Sequence, residues 1–298
     1  MGKMKAAIIG TGNIGSDLLV KLMKSPILEC GVFTGHKADS RGIARAKALG
    51  VPTSIESVSY IEKHPDCCDL VFDATSVEGH RHNAPILKRL GKFTIDLTPA
   101  HIGTFCIPAV NLAEGLEQDN VNLITCGGQA IIPIALAISK VQPDISYLEL
   151  VATIASKSAG MGTRNNIDEF TQTTKDALRD FTGVAHTKAM INLNPAEPPI
   201  TMHNTLYILC KNPDMPKICR AAHEMEQVIQ GYVPGFHIVL GPVLENGRVT
   251  LSVEVTGSGD YLPKYAGNLD IITCAAVKIA TEYALKKGYG DGGVHEGH

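Results

Sequence analysis

The amino-acid sequence predicts an α/β protein of two domains. Up to about Val141, short apolar runs rich in β-branched residues alternate with stretches of helical spacing, a pattern typical of a doubly wound parallel sheet. Beyond Val141 the strand-like runs become longer, and two of them flank Glu245-Asn-Gly247, a strong hairpin signal. The second part therefore predicts an α+β domain with a mixed or antiparallel sheet.

The predicted elements follow one another in order along the chain. In the first part we expect strands at residues 4–9, 28–34, 70–74, 93–97 and 122–125, and helices at 13–24, 43–49, 57–64, 79–90 and 129–141. In the second part we expect strands at 147–156, 188–193, 206–209, 236–244 and 248–256, and helices at 167–181, 216–230 and 269–287. The Gly- and His-rich residues 288–298 are expected to be a disordered tail.

Composition and charge exclude several classes of function. The 298 residues are 44% hydrophobic and 19% charged, as in an ordinary chain with a buried core, and the net charge of -3 leaves no general basic surface for nucleic acid. No apolar run approaches the ~20 residues that cross a bilayer, and Met1 to Lys5 run directly into a strand. We therefore expect a cytoplasmic protein with no membrane or nucleic-acid partner.

The eight cysteines are scattered, with no C-x-x-C pair and no histidine placed to complete a zinc site, so we expect neither a metal nor a disulfide framework. Cys126 differs from the others. The strand-like run before it turns through two glycines into the predicted helix that runs from Gln129 to Val141. A sulfur at a helix N-terminus lies beside unpaired N–H groups that favour the thiolate, so Cys126 is the candidate nucleophile.

A glycine-rich turn separates the first strand from the first helix. The first glycine permits the tight turn, the second lets the backbone approach a pyrophosphate, and the third allows the helix to pack closely. This context predicts a Rossmann-type dinucleotide site with the candidate residues Gly10, Thr11, Gly12, Asn13, Ile14 and Gly15. The acidic residue that commonly holds the NAD ribose ~20 positions on is missing. Lys37 and Arg41 stand in that region and could pair with a 2′-phosphate, so the sequence leaves NAD and NADP open.

Six segments carry a family resemblance. They are Gly10-Thr-Gly-Asn-Ile-Gly15, Asp96-Leu-Thr-Pro-Ala100, Thr125-Cys-Gly-Gly-Gln-Ala130, Ser156-Lys-Ser-Ala-Gly-Met-Gly-Thr-Arg-Asn-Asn-Ile-Asp-Glu-Phe170, Asn194-Pro-Ala-Glu-Pro-Pro199 and Tyr265-Ala-Gly-Asn-Leu-Asp270. In this order, and over nearly the whole chain, they resemble the acylating acetaldehyde dehydrogenases. These enzymes are the partners of 4-hydroxy-2-oxovalerate aldolases in aromatic meta-cleavage pathways.

The resemblance implies that acetaldehyde or a short aldehyde, coenzyme A and NAD⁺ give acetyl-CoA and NADH through a thioester on Cys126. It implies an architecture like that of aspartate-semialdehyde dehydrogenase. Residues 1–128, completed by helix 269–287, would bind the dinucleotide, and residues 129–268 would form the catalytic and dimerisation domain. The implied partners are a second copy of the chain and a 4-hydroxy-2-oxovalerate aldolase.

The resemblance also assigns cofactor contacts beyond the glycine turn. Asn268 matches a residue near the nicotinamide, and a second loop matches cofactor contacts at Ser158, Ala159, Gly160, Met161, Gly162, Thr163, Arg164, Asn165 and Asn166. Many relatives carry Asp at the place of Asn204, where it is proposed to assist the cysteine, but an amide cannot accept a proton. The base is unassigned, with His203 as the nearby titratable candidate and Asn204 as an orienting group. The segment 236–256 is also shorter than usual in the family. Surface loops often serve assembly, so this difference bears on whether an aldolase docks here.

Two alternative functions remain at this point. A semialdehyde or acyl-phosphate reductase of the aspartate-semialdehyde dehydrogenase type also forms a cysteine thioester, but it needs cationic groups for a charged substrate, and Arg164 is one candidate. The apolar run Ile131-Ile-Pro-Ile134 beside the cysteine favours a small neutral aldehyde instead. A non-catalytic NAD(P)-binding sensor would leave Cys126 unreactive.

Overall fold

Strands and helices alternate closely in the first part of the chain, as its apolar periodicity predicts. The computed structural model describes residues 2–290. Up to Val141 the elements are β1 (Met4–Ile9), α1 (Asn13–Lys24), β2 (Leu28–Thr34), α2 (Arg41–Ala48), β3 (Thr53–Ser54), α3 (Val58–Lys63), β4 (Leu70–Asp73), α4 (Val77–Arg89), β5 (Phe93–Asp96), β6 (Thr104–Phe105), α5 (Pro108–Gly115), β7 (Asn120–Asn122) and α6 (Cys126–Val141). The sequence missed β3, β6 and α5, and it placed β7 too late, since the observed strand ends at Asn122 where the predicted one began.

The second part contains longer strands. Its elements are β8 (Ile145–Ala155), α7 (Met161–Asn165), α8 (Ile167–Thr182), β9 (Thr187–Asn194), β10 (Met202–Cys210), α9 (Met215–Gln230), β11 (Phe236–Glu245), β12 (Arg248–Val255) and α10 (Gly267–Lys286). The predicted hairpin between β11 and β12 is confirmed, because Asn246 and Gly247 both have positive φ, as a two-residue turn of this type requires.

The first sheet has seven strands in the order β3-β2-β1-β4-β5-β7-β6, and all its neighbouring strands are parallel. Apolar side chains of α1, α2 and α10, such as Leu19, Ile43 and Ile279, cover one face. Those of α3 and α4, such as Ile61 and Leu87, cover the other. Helices on both faces make this the doubly wound sheet that the sequence predicts.

The strand order reverses between β1 and β4, whose carboxyl ends therefore bound a crevice. The glycine turn follows β1, and Thr75 and Ser76 follow β4. In doubly wound sheets ligands bind at this reversal, since the connections after the two strands diverge to opposite faces. The topology therefore places the predicted dinucleotide turn at the expected edge of the sheet.

The second sheet is mixed, with the order β11-β12-β10-β8-β9, in which only β8 and β9 are parallel. Its buried residues alternate along β8 and β10, for example Leu150, Ala152 and Leu206, and pack against α6, α8 and α9. The opposite face carries exposed apolar side chains, including Met190 and Leu240. One face of the sheet is thus covered by helices, and the other is not covered within residues 2–290.

The C-terminal helix α10 returns to the first sheet, where Ile272, Ala276 and Ile279 are buried. Tyr289 follows this helix and packs against the same cluster, so residues 288–290 are ordered rather than part of the predicted tail. Residues 291–298 of that predicted tail lie outside the described residues. Among residues 2–290 we find no helix with the length and apolar character that crossing a bilayer requires.

Candidate active site

Cys126 is the first residue of α6, so the helix begins earlier than the predicted Gln129. Thr125 is the N-cap, and its hydroxyl accepts a hydrogen bond of 3.0 Å from the N–H of Gly128. The same hydroxyl lies 2.7 Å from that of Thr174 in α8. The cap therefore uses one of the unpaired N–H groups of the first turn and leaves the sulfur beside the others.

The turn that leads into α6 is strained at Ile124. This residue has φ 63°, a left-handed conformation that is rare for a β-branched side chain. Its N–H donates to Oδ1 of Asn122 at 2.8 Å, within the turn itself. A sharp strand-to-helix turn of this kind carries Cys126 past the end of the sheet, and backbone strain of this sort is found at functional sites.

A cavity at the carboxyl edge of the first sheet gathers residues from distant parts of the sequence. It is lined by Ile14, Thr75, Ser76, Val77, Leu97, Thr98, Pro99, Ile124, Thr125, Cys126, Gly162, Thr163, Asn166, Phe170, Asn268, Leu269 and Ile272. Ile14 of the glycine turn, the cysteine, part of the second loop and Asn268 thus meet in one place. None of these lining residues carries a charge.

The ionisation of Cys126 differs from the sequence-based expectation of a favoured thiolate. Burial raises the pKa of the Cys126 thiol to about 12, although the N–H groups of Gly127 and of Cys126 itself lower it. The helix N-terminus thus acts in the expected direction, but desolvation of the thiolate is the larger effect. The expectation was wrong because the sequence shows the helix start and does not show how much protein surrounds the sulfur.

The glycine turn has the shape that a pyrophosphate requires. A Cβ on Gly15 would lie 1.9 Å from the carbonyl oxygen of Gly10, and one on Gly10 would lie 2.3 Å from that of Ala74. A Cβ on Gly12 would meet nothing within 4 Å, so open space lies in front of this residue. No side chain caps the N-terminus of α1, and its first N–H groups are available to an anion. Of the other turn residues, Ile14 lines the cavity, and Thr11 and Asn13 flank Gly12.

The second loop comes to the cavity through Gly162, Thr163 and Asn166. Arg164 is turned to the loop itself, since its guanidinium donates to the carbonyl oxygens of Ser156 and Ala159 at 2.8 and 3.1 Å. Among the remaining predicted residues of the loop, Ser158, Ala159, Gly160 and Asn165 do not line the cavity, and the side chain of the predicted Met161 lies outside what the structure describes. Arg164 therefore stabilises the loop and does not supply a cationic clamp in the cavity.

Comparison with known proteins identifies the family of this chain. Residues 126–263 match the family model described as "Prokaryotic acetaldehyde dehydrogenase, dimerisation". The chain is 50% identical over 281 residues to an acetaldehyde dehydrogenase of Spirochaeta aurantia, covering 94% of this chain and 95% of the relative. It is 50% identical over 289 residues to one of Geobacillus stearothermophilus, covering 96% and 98%. The chain belongs to the acetaldehyde dehydrogenase family.

Solved structures of more distant sequence share the fold. Aspartate semialdehyde dehydrogenase II of Vibrio cholerae, complexed with ASA, has a TM-score of 0.62 at 14% identity, covering 96% of this chain and 99% of that chain. The aspartate semialdehyde dehydrogenase of Candida albicans, solved with NADP, has a TM-score of 0.65 at 12% identity, covering 95% and 99%. At such identities the likeness concerns the fold, and it confirms the predicted architecture of this acetaldehyde dehydrogenase family member.

The candidate base His203 does not lie on the same side of the second sheet as Cys126. It lies in β10 between Met202 and Asn204, which point to the helix-covered face, so its imidazole is on the opposite face of the sheet. There Nε2 is 3.1 Å from a carboxylate oxygen of Glu254. Cys126 belongs to α6 on the covered face, and the expectation that His203 is the nearby base is corrected by this alternation of faces.

Asn204 lies on the side of the sheet where α6 begins. Its register partner in β8 is Ala152, and a Cβ on Gly127 would lie 3.2 Å from the Cβ of Ala152. Asn204 is fully buried, and neither its amide oxygen nor its amide nitrogen has a hydrogen-bond partner among the described residues. Such a group is costly to bury, so Asn204 lowers the stability of the fold.

The two cations that the sequence analysis connects with NADP are exposed. Lys37 and Arg41 follow β2, and neither makes a salt bridge within residues 2–290. Residues that the sequence analysis left without a role also line the cavity, among them Thr75, Thr98 and Phe170. The usable signal for Thr75 and Thr98 was their place directly after the buried strands β4 and β5, at the edge where ligands bind.

Proposed function

We propose that this protein is an acylating acetaldehyde dehydrogenase, which converts a short aldehyde, coenzyme A and a nicotinamide dinucleotide to an acyl-CoA and the reduced dinucleotide. The observation that supports it most is the position of Cys126 at the start of α6, in a cavity shared with Ile14 of the glycine turn and with Asn268. A nucleophile beside a hydride acceptor is the arrangement that oxidation through a thioester needs.

The thiol of Cys126 adds to the carbonyl carbon, forming a C–S bond and a thiohemiacetal as the carbonyl oxygen takes up the proton that the thiol loses. The carbon then gives up hydride, the C–O double bond is restored with loss of the hydroxyl proton, and a thioester remains on Cys126. When bound, the nicotinamide accepts this hydride. The sulfur of coenzyme A attacks the thioester and forms the C–S bond of the acyl-CoA, while the bond to Cys126 breaks. The Cys126 sulfur leaves with its electron pair and takes up the proton that the coenzyme A thiol loses.

The residues of the chain hold and polarise these groups. The N–H groups at the start of α1 and the open space at Gly12 fit the pyrophosphate. Asn268 is buried, lines the cavity and has an amide oxygen without a partner among the described residues, so it suits the amide group of a nicotinamide. The N–H of Gly127 favours negative charge on the sulfur.

The uncharged lining of the cavity favours a small neutral aldehyde over a semialdehyde. A substrate with its own carboxylate or phosphate needs a cation that pairs with it, because an unpaired charge is costly to bury. Among the lining residues the polar side chains are neutral, and Arg164 donates to its own loop. This arrangement distinguishes the proposal from a reductase of the aspartate-semialdehyde dehydrogenase type.

We further propose that residues 1–128 with α10 bind the dinucleotide and that residues 129–268 form the catalytic and dimerisation unit. NAD is the proposed cofactor, and NADP is tolerated because Lys37 and Arg41 stand where an acidic residue would repel its 2′-phosphate. The family match of residues 126–263 supports a homodimer. A 4-hydroxy-2-oxovalerate aldolase is the proposed partner enzyme, in the degradation of aromatic compounds, and co-elution with such an aldolase tests it.

The experiment that tests the thioester uses Cys126→Ala with Cys67→Ala as the matched control. Cys67 has the more acidic thiol, with a pKa of about 7, but it does not line the cavity. We expect an acyl adduct on Cys126 by intact and peptide mass after acetaldehyde and NAD⁺ are added without coenzyme A. Cys126→Ala should lose the adduct and turnover while it still binds NADH. Cys67→Ala should retain the adduct and turnover. An adduct on any other cysteine contradicts the proposal.

A further inference from the structure

Four fully buried polar side chains lie in a row across the first sheet, below the cavity but not among the residues that line it. Three of them end neighbouring strands and are opposite one another in the parallel register, Asp73 to Asp96 and Asp96 to Asn122. The fourth is His80, from the first turns of α4. We call Asp73, His80, Asp96 and Asn122 the buried polar row.

His80 holds the two carboxylates of this row together. Its Nδ1 is 2.9 Å from Oδ2 of Asp73, and its Nε2 is 3.3 Å from Oδ2 of Asp96. Burial by itself lowers the pKa of His80, but the hydrogen bond to Asp73 and the charges of Asp96 and Asp73 raise it above its ordinary value. Burial raises the pKa of Asp96 to about 7 against the opposing effect of His80. Two carboxyl groups that face one imidazole favour its protonated form, which is the direction of the shift at His80.

Neutral groups complete the surroundings of His80. The amide of Asn83, also from α4, donates to Oδ2 of Asp73 at 2.9 Å. The amide nitrogen of Asn120, from β7, lies 3.0 Å from Nε2 of His80, and the amide oxygen has no partner among the described residues. Turning that amide by 180° brings its oxygen to face Nε2, where it accepts from an N–H and gains a partner. Asp73 and Asp96 are the charged groups that act on His80.

The row reaches the cysteine turn through Asn122. The amide nitrogen of Asn122 donates to Oδ2 of Asp96 at 2.6 Å, and this contact fixes which way the amide points. Its oxygen then accepts the N–H of Ile124, the strained residue two positions before Cys126. The same amide nitrogen donates to the carbonyl oxygen of Thr98 at 2.9 Å, and Oδ1 of Asp96 accepts the N–H of Thr98 at 2.8 Å. Thr98 and Ile124 both line the cavity.

We propose that the buried polar row positions Cys126, with Asn122 as the positioning residue and with Asp96 and His80 setting its orientation. A β-branched residue at positive φ relaxes unless its surroundings hold it, and the acceptor for the N–H of Ile124 is the part of those surroundings that the row supplies. The inference rests on the proposed role of Cys126 as nucleophile. It adds that residues outside the cavity fix the position of the sulfur inside it.

The test compares Asn122→Ala with Asn83→Ala. Each variant removes a buried amide that donates to a carboxylate of the row, but only Asn122 also reaches Ile124. Three quantities are measured: the burst rate of NADH formation from acetaldehyde and NAD⁺ without coenzyme A, the Kd of NADH, and the rate of Cys126 alkylation by iodoacetamide at pH 9, read from the peptide mass. We expect Asn122→Ala to slow the burst by roughly tenfold or more, since misplacement of a reacting group by about 1 Å costs up to ~10²-fold.

In the same variant the Kd of NADH should stay within about twofold, because the dinucleotide turn is elsewhere, and alkylation should change by roughly fivefold in either direction. Asn83→Ala should leave all three within about twofold. A burst or an alkylation rate that responds equally in both variants means that the row is merely structural and overturns the inference. If the native protein shows no burst, the proposed function fails, and the alkylation rates still decide whether the row positions Cys126.

Two further variants keep the test decisive. Asp96→Asn preserves side-chain size, and it should slow the burst in the same direction if Asn122→Ala does not fold. In an Ile124→Gly background the strain is absent, because glycine adopts positive φ freely. The loss caused by Asn122→Ala should therefore shrink there to within about twofold. An undiminished loss in that background would show that Asn122 does not act through the turn.

Discussion

The thiol of Cys126 should behave as a weak acid in the resting protein. With a pKa of about 12, the thiolate fraction at pH 7 is about 10⁻⁵, whereas the ordinary value of 9.0 would give about 10⁻². At any pH below 12, an increase of one pH unit raises the thiolate fraction about tenfold. The rate of alkylation should therefore rise about 10³-fold between pH 7 and pH 10 without a plateau. The cause is burial of the sulfur, which exceeds the effect of the N–H groups at the start of α6.

The assay is alkylation by iodoacetamide at a series of pH values, followed by peptide mass. Cys67 serves as a control in the same molecule, because a hydrogen bond from Cys68 and the charge of Lys92 lower its pKa to about 7. Its alkylation should level off above about pH 8 while that of Cys126 continues to rise. A plateau for Cys126 below pH 9 would refute the reasoning, since it would mean that the helix N-terminus outweighs burial.

Four other substitutions have expected results that follow from the structure. Asn204→Leu should raise the free energy of unfolding by about 1–3 kcal/mol in urea melts, because two buried amide atoms without described partners are removed; a loss of stability would show that they are satisfied. Gly12→Ala should leave the melting temperature nearly unchanged but weaken NADH binding by roughly tenfold. Gly15→Ala should destabilise the fold by about 2 kcal/mol or more, since its Cβ would lie 1.9 Å from a carbonyl oxygen. Equal effects of the two substitutions on the melting temperature would contradict this. Lys37→Asp should shift the ratio of NADP to NAD activity toward NAD by roughly tenfold, and an unchanged ratio would mean that Lys37 only faces solvent.

Local pattern predicts most of the architecture of this chain. The apolar runs and their spacing identify the main strands and helices, and the glycine turn is recognisable because its context of strand, turn and helix lies within a few residues. The turn that carries Cys126 and the hairpin at Asn246 and Gly247 are recognisable for the same reason, although α6 begins at Cys126 and not at the predicted Gln129. The short strands β3 and β6 escape prediction, because strands of two residues contain too few positions for any periodicity.

The tertiary structure decides which residues act together, and in what state. His203 and Asn204 are neighbours in sequence, but alternation along β10 sends their side chains to opposite faces, and only the packing of α6 shows which face belongs to the site. The proton on Cys126 depends on how much protein surrounds the sulfur. The buried polar row exists because the ends of three strands, far apart in sequence, are in register across the sheet. The sequence by itself predicted Cys126 and the glycine turn as candidate site residues, because side-chain type and local turn geometry are encoded nearby. Burial and register depend on contacts between distant segments and were decided only by the fold.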